Sequence, residues 1–168
     1  MAAMGRKSKE KETKTNVMRI LDKAGISYIA KSYEHRDDEP FDGASVARSH
    51  GEDPAEVFKT LVTRGKSGDY FVFVLPVEQE LDLKAAARSV GEKSVEMIHV
   101  KDINKVTGYI RGGCSPIGMK KQFVTVIDSS AESLDTFHVS GGKRGTQVEL
   151  SPRDLAGLIG AKFENIVE

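Results

Sequence analysis

Residues 68–77 read GDYFVFVLPV. A strand with one wet face alternates apolar and polar residues; an unbroken apolar run of strand length suits a central strand covered on both faces. Whatever this chain folds into must therefore place material above and below a sheet. The 168 residues are enough for one domain with a real core and too few for two comfortable ones.

The covering helices are legible on either side. Thr15 can cap a helix whose Val17, Ile20, Leu21 and Ala24 share a face, and Gly25 can end it in a left-handed turn. ISYIAKSY, residues 26–33, reads as a strand. DGASVARSHG gives a short helix ended by Gly51. EDPAEVF gives another, with Asp53 as cap and Pro54 first, and KTLVTR then alternates as a strand. Downstream, LDLKAAARSVG is a helix capped by Asp82 and stopped by Gly91. SVEMIHV is a short strand, DINKVTG a short helix and QFVTVID a strand. FHVSGGKRGTQVEL is a hairpin, and SPRDLAGLIG a last helix capped by Ser151; AKFENIVE closes the chain. The hairpin breaks any strict βαβ alternation. The expected fold is α/β (α+β): a mixed sheet surrounded by helices, not a doubly wound parallel sheet. Residues 1–14, polar and rich in lysine, are expected to form a disordered tail, and 15–168 the domain.

Charge narrows the function. Lys plus Arg equals Asp plus Glu at 25 each, which argues against a bulk polyanion binder and for no DNA partner. No apolar run spans a bilayer and the N-terminal text has no signal-peptide core, so the reading is a cytoplasmic protein with no membrane partner. A single cysteine cannot close an intramolecular disulfide. One cysteine and four scattered histidines have no metal-ligand spacing, so neither metal nor cofactor is expected.

Three stretches carry possible chemistry. Lys59, in VFKTLV, is unusual in a half-buried strand. With Val57 and Leu61 on its face, its ammonium must reach a cleft or pair with an acid; a lysine snorkelling at a strand edge gives the same pattern and, on pattern alone, is slightly favoured. GGCSPIG holds Gly112, Gly113 and Gly118, which permit positive φ and close backbone approach, with Ser115 and the stiffening Pro116. Such a loop can aim several N–H groups at one oxyanion, or simply connect two elements. VSGGKRG, with Ser140, Gly141, Gly142 and Gly145, must be a hairpin turn and is a weak phosphate-cradle pattern. Arg111, Lys120, Lys121, Lys143 and Arg144 cluster about these loops; taken alone they read as solvated loop charge. Cys114 would need a neighbouring base to act as nucleophile. None of His35, His50, His99 and His138 has a context that singles it out.

Taken in order, SYEH (32–35), VFKTL (57–61), QELDLKAAA (79–87), KSVEM (93–97), TGYIRGGCSPIGMKK (107–121) and VSGGKRG (139–145) with VEL after it resemble the YbaK family of aminoacyl-tRNA editing domains, which also occur inserted in bacterial prolyl-tRNA synthetases. The likeness runs from about Thr15 to the end, and is greatest to free-standing members that remove cysteine from tRNA(Pro). It implies a compact α/β domain with a mixed, barrel-like sheet. It maps the family's lysine onto Lys59, its glycine-proline loop onto Gly112–Gly118, its pocket tyrosine onto Tyr33 and its serine-glycine turn onto Ser140–Gly142. Two positions depart from the pattern: Cys114 stands where similar proteins commonly have an aliphatic residue, and Gln147 where some have aspartate.

What the resemblance implies is a trans-editing deacylase acting on Cys-tRNA(Pro). The substrate's own thiol attacks its ester carbonyl, expels the ribose hydroxyl and leaves a thiolactone. Holding such an intramolecular attack in a reactive conformer is worth on the order of 7–11 kcal/mol, and each backbone donor on the oxyanion about 2.7–4 kcal/mol. Lys59 would orient the terminal nucleotide or carbonyl, and the Gly113, Ser115, Pro116 and Gly118 backbone would polarise the ester. Tyr33, Ser140, Gly141, Gly142 and Gln147 would line the substrate pocket, and Arg111, Lys120, Lys121, Lys143 and Arg144 would hold the tRNA end. The neutral total suits weak RNA binding shared with a partner, prolyl-tRNA synthetase. Two other functions remain compatible: a deacylase of another small aminoacyl-tRNA such as Ala-tRNA(Pro), and a non-catalytic binding module.

Overall fold

The computed structural model describes residues 14–32 and 51–168. The helix expected at 42–51, Tyr33, His35, His50 and all but the last residue of the expected tail lie outside the described residues. Lys14 is described, and ion-pairs with Asp22 at 2.6 Å.

Helix α1 (Asn16–Ala24) begins where Thr15 accepts from the Met18 N–H and ends at Gly25 in the left-handed conformation, φ 72°. It buries Val17, Met18 and Leu21. β1 (Tyr28–Ser32) follows. Asp53 caps as expected, but what it starts is one 3-10 turn, Pro54–Glu56; the chain is extended again at Val57, where β-branched and aromatic residues take over. β2 (Phe58–Gly65) and β3 (Tyr70–Pro76) form an antiparallel pair. After α2 (Leu83–Ser89), β4 (Val95–Met97) and α3 (Ile103–Thr107) comes β5 (Val124–Asp128), parallel to β3. The hairpin is β6 (Phe137–Ser140) with β7 (Thr146–Leu150). Then come α4 (Pro152–Ile159), capped by the Ser151 hydroxyl, and β8 (Lys162–Glu164).

Two sheets result, in the order β1-β7-β6 and β4-β2-β3-β5-β8. One isolated parallel bridge, Val57 with His138, joins their backbones, Phe58 and Phe137 pack edge to face beside it, and no closed barrel forms among the described residues. The larger sheet is mixed, as expected, with β3 at its centre. Alternation along β3 divides the core. Val72 and Val74 enter a cluster with α1, α4, β6 and β7, including Leu21, Phe137, Val148 and Leu155. Phe71, Phe73 and Leu75 enter a second with Leu81, Ala86, Ala87 and Ile166. β3 is thus buried on both faces, as its composition demands. β8 was not read as a strand. Its three residues carry no period, and their pairing with β5 is a long-range event.

Candidate active site

The stretch after α3 turns back on itself. Gly108 ends the helix at φ 87°, and the Tyr109 N–H donates to the Thr107 hydroxyl at 3.0 Å. The half-buried Tyr109 ring sends its hydroxyl to the Ile117 carbonyl. Ile117 is buried in the first core cluster and anchors the far side of the loop. Gly112 and Gly118 lie at φ 85° and 77°, conformations an L side chain rarely adopts.

Gly113 has a different reason to be glycine. A Cβ there would stand 3.0 Å from the Lys143 Cα and 3.1 Å from the Arg144 nitrogen. The glycine-proline loop is packed backbone against backbone on the hairpin turn. Arg144 reinforces the contact: its Nε donates to the Arg111 carbonyl at 2.8 Å. The two glycine-rich stretches, far apart in sequence, thus form one surface. A Cβ on Gly142 would stand 3.1 Å from Val17 and 3.6 Å from the Tyr109 ring, so the start of α1 backs the same junction.

Within the turn, the Ser140 hydroxyl accepts from the Gly142 N–H at 3.2 Å, and the Gly141 N–H donates to the Thr146 carbonyl at 2.8 Å. Ser140 and Gln147 are direct cross-strand partners, and Gln147 is buried. Of the five basic residues, the fold brings Arg111, Lys143 and Arg144 to the loop–turn junction. Lys120 instead reaches the Lys105 carbonyl at 3.4 Å, and Lys121 stays exposed.

Lys59 lies opposite Leu75 in the β2–β3 ladder, the side shared with Leu61 and Phe73. It is half-buried and makes no hydrogen bond or ion pair among the described residues. Among the described residues its charge is therefore not matched by an acid. No hydrogen bond joins it to the glycine-proline loop; its link to the site is the Val57–His138 bridge. From that bridge β2 and β6 run the same way, to Lys59 and to Ser140, each two residues on.

The loop supplies no activated nucleophile. Burial pushes the Cys114 thiol up to about 11, against a smaller opposing effect of a hydrogen bond with Thr107; reactive cysteines are shifted the other way. The Ser115 hydroxyl is fully buried and accepts from the Ile117 N–H at 3.3 Å, so it shapes the loop from within. Tyr109 is pushed up to about 12 by burial first and by Cys114 second, which keeps it a hydrogen-bond donor. Cys114→Ala is expected to turn over aminoacyl-tRNA at near the wild-type rate, and the wild-type thiol to resist iodoacetamide in the folded protein at neutral pH. Rapid alkylation with loss of turnover would show the thiol to be active.

The sequence reading missed one cluster, on the face of β6 and β7 opposite the core. The Lys31 ammonium lies 2.9 Å from His138 Nε2 and 3.2 Å from both Glu52 Oε2 and Glu149 Oε1. Its members come from β1, the arm before β2, β6 and β7. One signal was available: the hairpin register that pairs Phe137 with Leu150 also sets His138 beside Glu149. Among the described residues no group of three or more His, Cys, Asp or Glu is arranged to hold a metal ion, and no helix is long and apolar enough to cross a membrane.

The chain is similar to known proteins in both sequence and fold. A protein of Enterococcus faecalis, EbsC, described as a candidate Cys-tRNA(Pro)/Cys-tRNA(Cys) deacylase, is 45% identical over 159 residues, 94% of this chain and 96% of its own. YwhH of Bacillus subtilis, of uncharacterised function, is 24% identical over 111 residues, 66% of this chain and 70% of its own. The solved structure of a candidate trans-editing enzyme for prolyl-tRNA synthetase superposes with a TM-score of 0.76 at 20% identity, covering 92% of this chain and 98% of that one; at that identity the likeness is one of fold. The sequence pattern of the aminoacyl-tRNA editing domain matches residues 41–158, and the chain belongs to that family.

Proposed function

We propose that the protein is a trans-editing deacylase that releases cysteine from mischarged Cys-tRNA(Pro), residues 15–168 forming the editing domain. One observation carries the mechanistic part: the loop packed on the hairpin turn holds no side chain fit to attack an ester. Cys114 is held as a thiol and Ser115 is turned inward. A site without its own nucleophile suits a substrate that brings one.

On this reading the cysteinyl sulfur attacks the ester carbonyl and forms the C–S bond. The ester C–O bond breaks, the proton passes to the departing ribose oxygen, and water later opens the thiolactone. The protein's part is to hold the ester so that sulfur and carbonyl meet and to meet the developing oxyanion with loop N–H groups. Lys59, with no hydrogen bond or ion pair among the described residues, would contact the terminal nucleotide or the carbonyl. Arg111 and Lys143 at the junction, with Lys120 and Lys121 beyond it, would meet the backbone of the acceptor end. Prolyl-tRNA synthetase is the proposed partner and supplies tRNA choice, since so few cations give little discrimination among RNAs.

The test is deacylation of a panel of charged tRNAs by the purified protein, alone and with prolyl-tRNA synthetase. Cys-tRNA(Pro) is expected to be the best substrate and Ala-tRNA(Pro) a poor one. Preferential release of alanine would overturn the assignment in favour of a water-activating editor. Release of nothing, with the protein folded, would favour a binding module.

A further inference from the structure

Lys31 is a lysine whose three N–H donors meet three acceptors: Glu52 Oε2, Glu149 Oε1 and His138 Nε2. His138 is 5% exposed in its side chain and Glu52 7%. The other ring nitrogen, Nδ1, lies 3.3 Å from the Glu56 carbonyl. His138 Nε2 also lies 3.2 Å from Glu52 Oε2 and 3.6 Å from Glu149 Oε1, so imidazole and ammonium share the two carboxylates. Glu149 is held from behind as well, its Oε2 accepting from the Thr136 hydroxyl at 2.6 Å. That bond first, and the contact with Lys31 second, keep its carboxyl below the usual range. Burial opposes the charge on Lys31, but its bonds to Glu149 and Glu52 outweigh it and hold the ammonium above its usual range.

The cluster sits beside the backbone bridge that joins the two sheets. His138 is the β6 member of the bridge to Val57, and its ring bonds to Glu56, the residue before Val57. Glu52 opens the arm that leads through Pro54–Glu56 into β2. Lys31 lies opposite Gln147 on β7, and Gln147 opposite Ser140 on β6. Two residues beyond Val57 is Lys59, and two beyond His138 is Ser140. Beside the cluster, β2 and β6 are joined by the backbone bridge and, on the core side, by the edge-to-face contact of Phe58 with Phe137; on the face that carries Lys59 and Ser140 the cluster is the side-chain link.

We propose that Lys31 and His138 are positioning residues for deacylation, bracing the strand that carries Lys59 against the strand that carries Ser140. This rests on the deacylase reading above. Neither residue touches the reacting atoms; both act through Lys59 and the turn. A displacement of about 1 Å in a positioning group can cost on the order of 10²-fold in rate.

The tests use Lys31→Met, Lys31→Arg and His138→Gln in the full chain. Lys31→Met should lower kcat for Cys-tRNA(Pro) by about 10–100-fold with KM changed less than about twofold. Lys31→Arg, which can still donate to the two carboxylates, should recover part of that loss, as should His138→Gln relative to His138→Ala. In a Lys59→Ala background the Lys31→Met loss should shrink, because one of the two groups it positions is gone. An unchanged kcat in folded Lys31→Met, or a loss fully additive with Lys59→Ala, overturns the proposal.

Amide hydrogen exchange needs no substrate and separates this proposal from the deacylase reading. Lys31→Met should speed exchange about tenfold at residues 57–59 and 138–141 and leave the β3 amides unchanged. Exchange unchanged at both segments overturns the brace whatever the activity. A wild-type protein that cleaves no aminoacyl-tRNA overturns the deacylase reading and the catalytic role given to the brace, while faster exchange would still show the mechanical link.

Discussion

Cysteinyl-tRNA(Pro) is expected to be cleaved more than about 200-fold faster than seryl-tRNA(Pro) by this protein. Pocket fit alone separates small near-isosteres by roughly 10–200-fold, so a larger ratio belongs to chemistry. Serine is close to cysteine in size and carries its hydroxyl at the same place. What differs is the nucleophile: a free thiol is already a few per cent thiolate near neutral pH by rough estimate, and intrinsically far more reactive. The structure sharpens the contrast. With Cys114 held protonated and Ser115 turned inward, neither residue can compensate for a substrate that lacks sulfur. The measurement is single-turnover deacylation of both esters on one tRNA body. Equal rates would rule out substrate-assisted cleavage and leave a general water-activating deacylase.

Lys59→Ala is expected to lower kcat for Cys-tRNA(Pro) by about 10²–10³-fold, the cost typical of removing one preorganised contact to developing charge. The fold should survive. Lys59 makes no hydrogen bond or ion pair among the described residues, and Phe58 and Val62 on the same strand are buried without it. A half-buried ammonium with no partner among the described residues is costly to keep, and removing it should leave the melting temperature level or slightly raised. That opposition, activity down and stability not, separates a functional lysine from one that only snorkels. Unchanged turnover would establish the second.

The larger part of the fold could be read directly, and what could be read was local. β3 announced itself because burial on both faces writes an unbroken apolar run. Thr15, Asp82 and Ser151 announced helix starts because a capping oxygen must sit beside unpaired N–H groups, and each does so here. The hairpin was legible because its turn demands glycine. What escaped depends on which strand lies beside which. The place of β8 beside β5, and the meeting of Lys31, Glu52, His138 and Glu149, follow from sheet order, and no window of sequence contains it. The candidate site divides the same way. Its glycine-rich loops were visible as composition, and Lys59 as an anomaly in a strand. That one loop rests backbone to backbone on the other was not visible, because a missing side chain records only that something is near.

That contact at Gly113 has a consequence for how the two loops can change. A residue larger than glycine at 113 meets the main chain of Lys143 and Arg144, and main chain cannot be trimmed by altering the side chain opposite. Room for it must come from the turn's main chain moving away by a few tenths of an ångström. The spacing of the two loops is therefore set by main chain on both sides, so the size of residue 113 and the position of the turn are one variable rather than two.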